Sequence, residues 1–185
     1  MKFEGGRIVA DNFDGVGLVN DIQGNLGVSL SGRRVLLLGA GGAARGALLP
    51  LLAQKPSPLL LVNRTLVKAA SLVAQCRDRG PIKSASYEEL AGTRFDIVVN
   101  ATSASMAGES LPLPPSVFDS AGLAYELLYG KGLTPFMRQA QAAGVARLAD
   151  GVGMLVEQAA EAFTWWRGVR PVTRQVRERL TVPLT

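Results

Sequence analysis

Histidine is missing from the 185-residue chain, and cysteine occurs once, as Cys76. Without histidine there is no histidine-based catalytic triad and little basis for a zinc site, and one thiol supports neither an internal disulfide nor a cysteine-cluster metal site. No metal is therefore expected, and acid–base chemistry falls to Asp, Glu, Lys or Tyr. Aromatic residues are 6% and charged residues 19% of a chain that is 48% hydrophobic, a composition that excludes disorder and leaves a globular domain of ordinary size. No apolar run reaches the roughly 18 to 20 residues that span a bilayer, so no membrane partner is expected. The opening Met1-Lys2-Phe3-Glu4 has no signal-peptide character, which points to a cytoplasmic protein.

A net charge of +5 raises the question of nucleic acid. Most of it sits at one end, where Arg167, Arg170, Arg174, Arg177 and Arg179 face only Glu178. The rest of the chain is nearly neutral. No aromatic residues interleave with these arginines, as a single-strand binder requires, so a solvated helix face is the expectation and nucleic acid is not an expected partner.

Short apolar runs alternate with helix-length segments. Val35-Leu36-Leu37-Leu38, Leu59-Leu60-Leu61-Val62, Asp96-Ile97-Val98-Val99 and Leu123-Ala124-Tyr125-Glu126-Leu127 read as strands buried on both faces, with shorter candidates at 82–85 and 146–148. Helices are expected over 42–53, 65–78 and 134–144, and a loop over 104–115. The repetition predicts an α/β fold: a doubly wound Rossmann-type parallel sheet in three α/β/α layers. Residues 1–30 form a lead-in segment with a helix over 15–26, 31–150 the nucleotide-binding core, and 151–185 a C-terminal helical extension. The helix from Gly151 carries Leu155, Gln158, Ala159, Ala162 and Trp166 at core-facing spacing.

After the first strand of that core comes Gly39-Ala40-Gly41-Gly42-Ala43-Ala44-Arg45-Gly46, opening a helix. Gly39 permits the turn, Gly41 admits a pyrophosphate to the backbone, small Ala44 allows close packing, and the helix N-terminus offers free N–H groups and a positive dipole end. The second strand ends in Asn63-Arg64-Thr65, with Lys68 one turn on, where an NAD enzyme would place a carboxylate. Arg64 suits a 2′-phosphate and the adenine face, Asn63 and Thr65 add hydrogen bonds, and Lys68 adds a cation, so NADP is the expected cofactor. Asn63 and Thr65 also suit the simpler role of capping the next helix.

Several segments together resemble one family, the shikimate 5-dehydrogenases with the related quinate/shikimate dehydrogenases. They are Asp11-Asn12-Phe13-Asp14-Gly15-Val16-Gly17, the run from Gly39 to Gly46, Asn63-Arg64-Thr65, Asn100-Ala101-Thr102-Ser103, Tyr129-Gly130-Lys131-Gly132-Leu133-Thr134-Pro135, and Asp150-Gly151-Val152-Gly153-Met154-Leu155 running to Gln158. The resemblance implies NADPH-dependent reduction of 3-dehydroshikimate to shikimate, a step toward aromatic amino acids. It implies that Asp14 is the aspartate of a catalytic Lys/Asp pair and that Tyr129 and Gln158 contact substrate. It further implies that Gly39, Ala40, Gly41, Gly42 and Ala43 hold the cofactor's phosphates, and Asn63, Arg64, Thr65 and Lys68 its 2′-phosphate. Thr102 and Ser103 would line the cofactor's path, and backbone groups of Leu127 and Gly151 would hold the nicotinamide.

Family members also have a first domain that supplies the catalytic lysine, and this chain begins just before the Asp14 motif. Lys2, Lys55, Lys68, Lys83 and Lys131 match no such lysine motif, so NADP binding with little or no turnover is expected of these residues alone. Phe13 replaces a threonine, pointing to quinate or another hydroxy acid as an alternative substrate, and Glu126 replaces an aspartate. The other reading is a truncated or engineered cofactor domain that acts as a binding module, self-associating through an apolar surface around Phe13, Trp165 and Trp166. Against it stands internal packing of the tryptophans on the tail helix.

Overall fold

A hairpin that the sequence pattern does not announce opens the chain. In the computed structural model, which describes residues 1–184, strand β1 (Lys2–Glu4) pairs antiparallel with β2 (Arg7–Val9). Gly5 and Gly6 turn between them at φ 54° and 78°, the two positive values a tight hairpin needs. Three-residue strands are too short to show a period, which is why composition alone passes over them.

Helix α1 (Asp14–Asn20) follows and widens into a π-helical turn at Asp21–Asn25, close to the expected 15–26. The core then alternates β3 (Val35–Leu38), α2 (Gly42–Ala53), β4 (Leu59–Val62), α3 (Leu66–Ala74), β5 (Ile82–Ala85), β6 (Ile97–Asn100), β7 (Leu123–Glu126), α4 (Pro135–Ala142), β8 (Leu148–Ala149), α5 (Val152–Arg167) and α6 (Arg174–Leu180). Strands β3 to β8 form one sheet in the order β5-β4-β3-β6-β7-β8, parallel at every pairing. That order reverses direction between β3 and β6, the switch point at which such sheets bind ligands.

Alternate strand residues face opposite cores. Val35, Leu37, Ile97, Val99, Leu123 and Tyr125 join α1, α2 and α3 on one face, while Leu36, Leu38, Val98 and Ala124 meet Phe136 and Met137 of α4 on the other. Burial on both sides accounts for the unbroken apolar runs. Helix α3 stops at Ala74 rather than 78, because Arg77, Asp78 and Arg79 have no apolar face to bury and form a separate exposed turn. Strands β6 and β8 start later than expected, since register with their neighbours, Val35 to Ile97 and Ala124 to Leu148, sets where each begins.

The C-terminal helices depart most from the pattern. Helix α5 buries Val152, Gly153, Val156, Glu157 and Ala160, whereas Ala159 and Trp166 of the expected core face are exposed and Leu155, Gln158 and Ala162 are half-buried. The reason is charge pairing: Glu157 is buried because Arg170 donates to it at 2.6 Å and Asn25 at 3.1 Å, while Arg170 also pairs with Glu161. A glutamate in the buried stripe hides that stripe from any hydrophobicity count. Arg170 is therefore engaged, and the terminal positive charge is not one open patch. Buried Asp21 joins the same region, accepting from the Tyr125 hydroxyl and the Asn25 amide, both at 2.7 Å. Burial pushes its carboxyl above the usual range, against the pull of those two bonds.

The tryptophans pack on the N-terminal segment. The Trp165 ring lies 5.6 Å from Phe13 and under the Lys2 ammonium at 4.8 Å, and the Trp166 indole donates to the Met1 carbonyl at 3.0 Å. These contacts take up part of the aromatic surface on which self-association was expected, although Phe3 and Trp166 remain 83% and 55% exposed. Among the described residues no helix is long and apolar enough to cross a membrane.

Candidate cofactor-binding site

The strand ends on either side of the switch point carry the candidate residues. Gly39 leaves β3 with its N–H on the Val62 carbonyl at 2.7 Å and a φ of 107°. A Cβ there would lie 2.9 Å from the Ala101 oxygen, so glycine is required both by conformation and by the close approach of the β6 loop. Beyond half-buried Ala40, the residues Gly41, Gly42 and Ala43 are exposed, and Gly41 brings no side chain to cap the helix. Arg45 is where backbone pairing resumes, its N–H reaching the Gly41 carbonyl at 3.0 Å. The first N–H groups of α2 thus face outward without an intrahelical partner, the arrangement that receives an anion. Ala44, fully buried behind them, lets α2 lie against the sheet.

One strand along, Asn63 is half-buried and Arg64, Thr65 and Lys68 are exposed. The Asn63 amide donates to the Thr65 carbonyl at 3.0 Å and so braces the turn. Thr65 sits at the N-terminus of α3 but its side chain makes no capping bond. The capping alternative therefore holds for neither residue. Arg64 and Lys68 form no ion pair among the described residues, so both cations of this segment are exposed and unpaired there.

Thr102 is held within its own loop. Its N–H and hydroxyl both donate to the Asn100 side-chain oxygen, at 3.0 and 2.8 Å, and the hydroxyl accepts from the Ala104 N–H at 3.3 Å. That hydroxyl organises the loop, while the methyl group packs toward Gly39 and Ser103 stays exposed. Glu126, read from sequence as a departure, is the clasp of the whole edge. It is fully buried, and one carboxylate oxygen accepts from Ser105 at 2.6 Å, Asn100 at 3.0 Å and Thr134 at 3.0 Å, the other from the Leu128 N–H at 3.3 Å. Burial raises its pKa and these bonds oppose the rise. No local signal marks such a residue, since its partners come from three separate segments.

Leu127 and Gly151 are brought together. A Cβ on Gly151 would lie 2.8 Å from the Leu127 carbonyl carbon and closer still to its oxygen, so the loop after β7 rests directly on the start of α5. Exposed Tyr129 stands two residues further along that loop. Asp14, half-buried, opens α1, with its N–H on the Asn12 side-chain oxygen at 2.9 Å and its carboxylate accepting from the Asn12 amide at 3.4 Å. Asn12 is a positioning residue that the sequence motif contains without disclosing its role. Two glycines set the helix carrying Asp14: a Cβ on Gly15 would lie 2.7 Å from Pro50 of α2, and one on Gly17 2.6 Å from the Gln158 nitrogen of α5. Helix α1, with Asp14 at its start, therefore lies against the middle of α2 and, through Gly17, against α5 at Gln158.

Comparison with known proteins gives the same direction. A family model described as Shikimate / quinate 5-dehydrogenase matches residues 21–107, and one described as Shikimate 5'-dehydrogenase C-terminal domain matches 151–181. The shikimate dehydrogenase (NADP(+)) of Dechloromonas aromatica is 56% identical over 184 residues, covering 100% of this chain and 67% of that protein. Among solved structures, an Ael1 enzyme from Pseudomonas putida superposes with a TM-score of 0.94 at 63% identity, covering 100% of this chain and 68% of that one. The shikimate 5-dehydrogenase of Thermus thermophilus, in complex with NADP(H) and shikimate, gives 0.77 at 28% identity, covering 94% and 63%. The chain thus spans about two thirds of the length of these relatives. On this identity and coverage, with the glycine turn at the switch point of the sheet, the chain belongs to the shikimate dehydrogenase family.

Proposed function

We propose that these residues form the NADP-binding part of a shikimate dehydrogenase that interconverts 3-dehydroshikimate and shikimate. The observation that carries the reading is the exposed Arg64, Thr65 and Lys68 group at the end of β4, next to the uncapped N-terminus of α2. A 2′-phosphorylated dinucleotide suits both features: the helix terminus would take the pyrophosphate, and the two cations with the free hydroxyl would take the 2′-phosphate. When bound, the reduced nicotinamide supplies hydride. The chain's own work is to hold that ring against the Leu127 and Gly151 backbone and to place the Asp14 carboxylate, steadied by Asn12, where it accepts a hydrogen bond from a substrate hydroxyl. In this reading Tyr129, on the loop after β7, and Gln158, on α5, would contact the substrate.

Asp14 is one member of the catalytic pair that the family resemblance implies, and no lysine of these 185 residues matches the other. Assayed alone, the chain is expected to oxidise shikimate with NADP at below about one hundredth of the rate of a full-length relative, the loss that follows removal of a general acid–base group. A rate near that of the relative, followed by absorbance of the reduced nicotinamide, contradicts this division of labour.

A further inference from the structure

Beyond the sheet edge, β4 continues into Asn63-Arg64 and β5 into Ser86-Tyr87. Val62 is paired with Ala85 in the parallel register, so Arg64 and Tyr87 stand at equivalent steps past neighbouring strands. The two differ in burial. Arg64 is exposed, whereas Tyr87 is half-buried and packs on the core cluster that contains Val62, Ala85 and Leu90. The turn beneath the tyrosine is fixed from two sides: the Leu90 N–H donates to the Tyr87 carbonyl at 3.2 Å, and the Ser86 N–H donates to the Glu89 carboxylate at 2.6 Å. Burial pushes the phenol up and the Arg64 charge pulls it down, which sets the guanidinium within electrostatic reach of the hydroxyl. A protonated phenol is a donor, and no side-chain hydrogen bond within the described residues occupies it.

We infer that Tyr87 is a further specificity-determining residue, whose anchored phenol donates a hydrogen bond to the same 2′-phosphate that Arg64 neutralises. The inference rests on the NADP reading above. A rigid donor next to a flexible cation is a sound division: the tyrosine loses little freedom on binding, and the arginine supplies the charge. Specificity for the phosphorylated dinucleotide then depends on two adjacent strand ends, β4 and β5.

The experiment is titration of the unmodified chain and of Tyr87→Phe with NADP and with NAD, alongside thermal melts of both proteins. The phenylalanine variant keeps the ring and its packing and removes only the hydroxyl. The expected result is about a tenfold weaker NADP affinity, unchanged NAD affinity and an unchanged melt, the effect of losing one charge-assisted hydrogen bond. If the unmodified chain prefers NADP and the variant binds both cofactors as before, or weakens toward both alike, the inference is overturned while the NADP reading stands. Equal affinity of the unmodified chain for the two cofactors overturns both.

Discussion

Replacing Arg64 with alanine is expected to raise the dissociation constant for NADP about 30- to 100-fold while leaving that for NAD within about twofold. The magnitude follows from removing hydrogen bonds to a charged group, about 2 to 3 kcal/mol, at roughly 1.4 kcal/mol per factor of ten. Arg64 is exposed and unpaired among the described residues, so its whole charge is available to a ligand and none of it holds the fold together. For the same reason the penalty should shrink as salt is added, because an exposed ion pair is screened within about 8 Å at physiological ionic strength. Arg64→Lys should fall between the two, keeping the charge and losing the planar fork. Calorimetric titration at two salt concentrations checks all of this, and equal weakening toward NADP and NAD would show that Arg64 does not read the 2′-phosphate.

Gly151→Ala is expected to damage the fold and the site together. The added methyl would meet the backbone carbonyl of Leu127, and a backbone group of a packed loop has no rotamer by which to yield. Overpacking against side chains costs about 1 to 3 kcal/mol, and a backbone obstacle should reach at least the upper value. In a domain of this size that corresponds to a melting temperature lower by about 6 to 12 °C. Gly41→Ala provides the contrast: its Cβ would meet nothing within 4 Å, and its φ of −86° is open to any residue. That variant should melt with the unmodified chain yet bind cofactor more weakly, because the methyl would stand where a phosphate approaches the backbone. A Gly151→Ala protein that melts normally would contradict the close approach of Gly151 to the Leu127 backbone.

These expectations show which parts of the molecule local sequence discloses. The sheet was legible because each strand is buried on both faces, so Val35–Leu38 and Leu59–Val62 read as strands from their own residues. The positions of the glycine turn after β3 and of Asn63-Arg64-Thr65 after β4 were legible for a similar reason, since each lies within a few consecutive residues. What stayed hidden depends on partners distant in sequence. Glu126 looks like a substitution until Ser105, Asn100 and Thr134 converge on it. The buried face of α5 was misassigned because Glu157 lies within it, neutralised by an arginine 13 positions away. The Trp165 contact with Phe13 joins opposite ends of the chain and leaves no trace in any window of sequence.

The role given to Phe13 changes accordingly. Its ring rests on Trp165, and Trp165 in turn receives the Lys2 ammonium, so Phe13 helps pack the N-terminal segment on α5. It also lies immediately beside Asp14, whose orientation depends on Asn12 on the other side of Phe13.

The central claim is that the edge formed by the α2 N-terminus and the end of β4 is built for a 2′-phosphorylated dinucleotide. Titration of the unmodified 185-residue chain with NADP and with NAD under identical conditions tests it most directly. The account predicts saturable binding of both, with NADP tighter by at least about tenfold, the contribution of the extra charge-assisted hydrogen bonds. Equal affinities, or a preference for NAD, would contradict it.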